Sequence, residues 1–150
     1  MKNLMGKCLA LLIVFITAVS IYSFTIEKAS LVGEWRGTDN TQKSAVFIFS
    51  QDEYLTMIMD GKTMGGKDFE VNGKKVDIKY EVNSIKTPMW LDFVFYLEGK
   101  KLEGKTSNGI FRFIDANRIE LRMNNTTNTH YDKFDASDKE NTIFLTRVNK

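Results

Sequence analysis

The sequence predicts an all-β protein: an antiparallel up-and-down barrel of about eight to ten strands behind a signal peptide. Three observations carry this. From residue 31 onward, short apolar runs alternate with turn residues to the end of the chain. Val76, Ile78, Tyr80 and Val82 alternate with Asp77, Lys79 and Glu81, as Ile119, Leu121 and Met123 do with Glu120 and Arg122, giving strands with one dry and one wet face. No stretch carries the period of a long amphipathic helix.

At the N-terminus, Lys2 and Lys7 precede an apolar run from Cys8 through Ile21, with Ala18-Val19-Ser20 as a small-residue exit. This predicts a signal peptide over 1–20, cleaved after Ser20, and an extracytoplasmic protein, periplasmic or secreted. The run is short for a spanning helix, so no membrane span is expected after cleavage, an uncleaved anchor being the alternative. Cys8 follows Lys7 at the front of the run, the wrong end for a lipidation site. Without the leader no cysteine remains, so stability must come from packing rather than disulfides. Residues 21–30 form a lead-in, with one possible helical turn at 26–30, and 31–150 form the barrel, a single domain.

Strands are expected at roughly 32–38, 44–50, 53–59, 67–72, 75–82, 89–97, 100–104, 108–115, 118–123 and 142–148. Asp60-Gly61, Asn72-Gly73, Glu98-Gly99 and Asp115-Ala116-Asn117 supply the residues tight hairpins need, so neighbours in sequence should be neighbours in the sheet. Ala45 through Phe49 and Leu91 through Leu97 are apolar on both faces apart from Asp92, as expected for strands covered on their outer side or at a partner contact. Many short strands in up-and-down order favour closure, which removes free edges. Pro88 opens its strand, where a missing N–H does least harm. One segment breaks the rhythm: 124–141 is a long polar connection with Tyr131 and Phe134 as its apolar anchors, and a loop of that length is mobile or functional.

The chemistry is sparse. Outside the leader, 19 basic residues face 19 acidic ones, which argues against nucleic-acid binding. With one histidine and no cysteine, the Ser-His, Cys-His and zinc arrangements lack their parts, so no enzymatic activity, metal or cofactor is expected. His130, in the polar loop, reads as a solvated side chain. Asp92, the one acid in its apolar strand, reads as rim-facing or hydrogen-bonded inside the barrel. Gly61-Lys62-Thr63 resembles the end of a phosphate loop, but Thr56 replaces the first glycine and no helix follows, so it reads as a hairpin turn. Asp132, Asp135 and Asp138 recur every third residue rather than every second, which leaves a solvated acidic loop in preference to a calcium loop. Asn124 and Asn125 fit glycosylation acceptors, relevant only in a eukaryotic secretory route.

Binding remains. Phe47, Phe49, Tyr80, Phe93, Phe95 and Arg112 are the candidate ligand contacts, although the same aromatics also describe a solidly filled core. Arg112 shares a face with Ile110 and Ile114; facing inward it would need an anionic partner such as a ligand carboxylate, facing outward it would snorkel. A solid barrel would instead be an interaction module engaging a protein or envelope component, with Trp90 or the 124–141 loop as contact. The oligomeric state stays open.

The first strand opens on Leu31-Val32-Gly33-Glu34-Trp35, where Gly33 allows a close backbone approach and Trp35 brings a large ring to bury. This Gly-x-Trp resembles the signature that opens the lipocalin barrel and those of the wider calycin group. Asn108 through Phe113 followed by Ile119-Glu120-Leu121, and Phe144-Leu145-Thr146-Arg147, extend the likeness over about residues 30–148 to bacterial extracytoplasmic lipocalin-like proteins. Fatty-acid-binding proteins share the opening but insert two helices after the first strand, where this chain has only Thr38 to Gln42. The resemblance implies that Arg147 lies across Trp35, with Gly33, as the closure of one end, and that the interior takes a small apolar or amphipathic ligand.

Overall fold

The computed structural model describes residues 30–38 and 42–148; the expected leader, its cleavage site and most of the lead-in lie outside them. Ten antiparallel strands form one sheet: β1 (Gly33–Thr38), β2 (Ser44–Phe49), β3 (Leu55–Met59), β4 (Lys62–Gly65), β5 (Phe69–Val71), β6 (Lys74–Asn83), β7 (Met89–Leu97), β8 (Lys100–Asp115), β9 (Arg118–Asn124) and β10 (Thr142–Arg147). The spatial order β4-β3-β2-β1-β10-β9-β8-β7-β6-β5 is up-and-down throughout, with the first and last strands meeting where β1 pairs β10. The described residues contain no helix.

Turn chemistry sets the registers. Asp60-Gly61, Asn72-Gly73 and Glu98-Gly99 each place two consecutive residues at positive φ, the backbone of two-residue hairpins whose twist matches the flanking strands. They pair Met59 with Lys62, Val71 with Lys74 and Leu97 with Lys100. The sheet then curls until its ends nearly meet. Ile78 N donates to Gly66 O at 3.1 Å, Tyr80 N donates to Glu53 O at 2.9 Å, and Tyr54 bridges to Lys79.

Two expectations about strands need correction. Lys62-Thr63-Met64-Gly65 is strand β4 and not a turn, because the two-residue Asp60-Gly61 reversal is tight enough for pairing to resume at Lys62. The strands expected at 100–104 and 108–115 are one long β8, since polar Lys105-Thr106-Ser107 keeps the ladder through a register shift opposite Val94 to Tyr96. A polar stretch on a half-exposed strand interrupts the apolar pattern without interrupting the hydrogen bonds.

Inward side chains make one core: Trp35, Phe49, Leu55, Leu91, Phe111, Ile119, Leu121 and Leu145 are all essentially buried. The core is aromatic and aliphatic around Trp35. Toward the far ends of β3 and β9 it passes into methionines, with Met57, Met59 and Met123 only partly buried. The barrel therefore has a filled end and a looser one.

Gly33 fixes the filled end. Its φ of +133° is a conformation that other residues rarely adopt, and a Cβ there would meet Arg147 Nη1 at 2.8 Å. Gly33→Ala should therefore lower stability by about 1–3 kcal/mol in a denaturant titration. An unchanged midpoint would mean that the arginine and backbone adjust freely.

Candidate functional site

At the filled end, Trp35 is 0% exposed and its indole Nε1 donates to Leu31 O at 2.7 Å. The Arg147 guanidinium lies over the ring, 4.2 Å from centroid to Cζ. The register brings them together, since Trp35 pairs directly with Arg147 across β1 and β10. Arg147 also donates to Val32 O at 2.8 Å and to Ser30 O, so one side chain ties the last strand to the chain segment entering the first. Phe113 tilts against Trp35 at 6.4 Å between centroids. Among the described residues this end is filled by the indole, the guanidinium and the Phe113 ring.

The opposite end is different. A cavity of about 300 Å³ opens there, its apolar wall made of Met57, Met59, Met64 and Met123 with Phe47, Phe93, Phe95 and Ile143. Met57 and Met64 are cross-strand partners, and Met57 also pairs with Phe47, so adjacent strands put these side chains on one inward face. Met59 lies two residues beyond Met57 and shares that face. Ser107, Asn125, Glu140, Asn141 and Thr142 add polar groups to the lining. The volume is at the small end of known ligand pockets, and an apolar wall with a few polar groups is their usual make-up.

The six candidate contacts divide accordingly. Phe47, Phe93 and Phe95 line the cavity. Phe49 and Tyr80 lie in the filled part: their rings meet edge to face at 5.0 Å, and the Tyr80 hydroxyl donates to Ser50 O at 2.8 Å. Burial pushes the Tyr80 phenol above its ordinary value, with the Glu53 and Asp52 carboxylates adding to the rise. Arg112 is on the outer face, where Nη2 and Nε hold Glu120 Oε2 at 2.6 and 2.7 Å, so it is not placed to meet a ligand in the barrel. The four methionines of this wall are not among the six expected contacts. Their signal is the Met57-Ile58-Met59 alternation, which places two flexible thioethers side by side on the dry face.

Residues 124–141 also depart from expectation. They form a strap over the outer face of β7, β8 and β9, joined to it by buried polar contacts. Asn124 anchors its start, donating through Nδ2 to Thr127 Oγ1 at 2.6 Å and to Thr129 O at 3.0 Å while its Oδ1 accepts from Thr126 and Thr127. His130 is not solvated: its side chain is 14% exposed, Nε2 lies 2.7 Å from Asp92 Oδ1, and the ring stacks on Trp90 at 3.8 Å with 6° between planes. Asp92 thus sits outside the barrel, where it also accepts from Asn108 Nδ2 at 3.2 Å. Trp90, expected as a surface contact, has one ring face occupied by His130 and Lys86 Nζ 4.7 Å from its centroid.

Further along, Arg122 lies 3.7 Å over the Tyr131 ring, and Arg112 lies 4.5 Å over that of Phe134. The two apolar anchors of the strap are therefore met by arginines that face outward from β8 and β9. A hollow of about 690 Å³ lies between the strap and β10, bounded by Arg112, Glu120, Asp138, Lys139 and Phe144. It is larger than the methionine-lined hollow and as open to solvent, but five of its lining side chains are charged, against one in the methionine-lined hollow. Phe144 at its edge is 58% exposed.

The described residues contain no group of three or more His, Cys, Asp or Glu side chains placed to hold a metal ion. Asp138 is engaged by Arg122, and Asp135 accepts from Ser137 Oγ at 2.6 Å. In comparisons with known proteins, the chain matches no family model, no curated protein and no solved structure.

Proposed function

We propose that this protein is an extracytoplasmic binding barrel, lipocalin-like in kind, that holds a small apolar or amphipathic molecule in its methionine-lined mouth and performs no chemistry on it. The observation that carries this reading is the asymmetry of the interior: one end filled by Trp35 under Arg147, the other holding a cavity of about 300 Å³ walled by four methionines and three phenylalanines. Methionine has no branch and a polarisable thioether, so a wall of such side chains adapts to an occupant without being specific for one shape. A core needing only to be solid would be better filled by branched aliphatics, which lose less entropy on packing. The leader-like N-terminus is the ground for the compartment, and a single histidine with no cysteine after that leader is the ground for a role without catalysis.

The alternative, an interaction module working through the strap, has less support because Trp90, Tyr131 and Phe134 are already engaged within the molecule. Two measurements test the binding role. Native mass spectrometry of the exported protein should show a co-purifying mass that is lost on denaturation. The neutral dye Nile red should brighten on binding and be displaced by 1-octanol or 1-decanol. A folded barrel that carries nothing and leaves the dye dark overturns the proposal.

A further inference from the structure

We infer that the mouth selects amphiphiles with a cationic, hydrogen-bond-donating head over those with an anionic head: a primary alkylamine rather than an alkanoate. This rests on the binding role proposed above and specifies its ligand class.

The ground is the chemistry of the polar lining. Glu140 is the one ionisable side chain that lines the cavity. It is exposed, and its carboxylate makes no hydrogen bond or ion pair among the described residues. Its neighbour Asn141 donates through Nδ2 to both oxygens of the Asp138 carboxylate, at 2.9 and 3.2 Å. A carboxylate accepts and cannot donate, so the amide nitrogen must face Asp138 and the carbonyl oxygen of Asn141 is left as acceptor. The strap therefore contributes to the lining a carboxylate and, from the next residue, an amide whose nitrogen is already used, while the rest of the wall is apolar or neutral. A cation is absent from that wall; Lys139, next in the chain, lines the outer groove instead. An ammonium head would meet acceptors, whereas a carboxylate head would meet a like charge with no basic partner.

The test compares n-octylamine, 1-octanol and octanoate at neutral pH, below their aggregation limits, by calorimetry and by Nile red displacement. Equal tails cancel the apolar contribution. A partly exposed charge pair alters affinity by up to about fivefold in either direction, so octylamine should bind about tenfold more tightly than octanoate, with octanol between. Glu140→Gln removes the charge at an exposed position whose side chain makes no hydrogen bond or ion pair among the described residues. It should keep the parent melting temperature and bring the amine and the carboxylate to within about twofold of each other. Octanoate binding as well as octylamine, or a preference that survives in E140Q, overturns the head-group inference and leaves the binding role standing. Failure of all three to bind removes both.

Discussion

Replacing Trp35 by alanine should destabilise the barrel by about 3–5 kcal/mol, the usual cost of truncating a fully buried large aromatic. Three losses coincide at this one position. The cavity left behind would be bounded by strands β1 and β10 and by Phe113, elements whose backbones are fixed by pairing and cannot collapse inward freely. Leu31 O would lose its indole donor, and the Arg147 guanidinium would lose the ring beneath it. The stack itself contributes about 0.5–2 kcal/mol, depending on how dry the contact is. In a domain of this size the total corresponds to a fall of roughly 10–20 °C in melting temperature. Trp35→Phe, which keeps an aromatic surface but no N–H, should lose less than half as much. Equilibrium urea unfolding checks both, and an unchanged midpoint for the alanine variant would show that the closed end does not depend on the ring.

Much of this fold was legible because its signals are local. Asn72-Gly73 and Glu98-Gly99 state where the chain reverses, and the alternation from Val76 to Val82 states which side is dry. The missed β4 shows the limit of such reading, since Lys62 and Thr63 are polar and exposed and join the sheet only because Met59 and Ile58 present a free ladder beside them. The outer face was illegible for a related reason. Glu120 and Arg122 read as wet-face residues and Asp92 as rim-facing or hydrogen-bonded inside the barrel, yet Glu120 and Arg122 are buried, with Asn108, on the outer face. What covers them is a polar strap whose own composition predicts solvent exposure. Its attachment depends on pairs such as His130 with Asp92, separated by 38 residues, which no local pattern announces.

The cavity was half visible for the same reason. Aromatic residues were expected to line it, but aromatics fill as readily as they line, and the filled end claims Phe49 and Tyr80. Which end stays open is decided by where the thioethers collect. Because β3 and β9 both reach that end, Met57, Met59 and Met123 meet although they are far apart in sequence.

The strap connects the outer face to the mouth, and Arg122→Ala should expose that connection. Arg122 is 8% exposed and donates through Nε and Nη2 to Asp138 Oδ2 at 3.0 and 2.6 Å and through Nη1 to Lys133 O at 2.7 Å, while its guanidinium covers Tyr131. Truncation would leave a carbonyl without its donor and a carboxylate without its cation, so removing the arginine should cost about 2–4 kcal/mol, below the full figure for a completely buried pair because water reaches this one in part. By contrast, Arg118 pairs with Asp115 on the open surface, and its loss should change stability by less than about 1 kcal/mol. The hydrogen bond from Arg122 is the largest cause holding the Asp138 carboxyl below its ordinary value. A group depressed in this way stabilises the folded state above its unfolded pKa, and that contribution disappears as pH falls through the lower folded value. The difference between parent and R122A should therefore be full at neutral pH and narrow in strong acid. Since Glu140 and Asn141 belong to the same strap and line the mouth, loosening it should also weaken octylamine binding and open 125–141 to protease. Parent-like unfolding, cleavage and binding in R122A would mean that the strap is held by His130 and Phe134 without the help of Arg122.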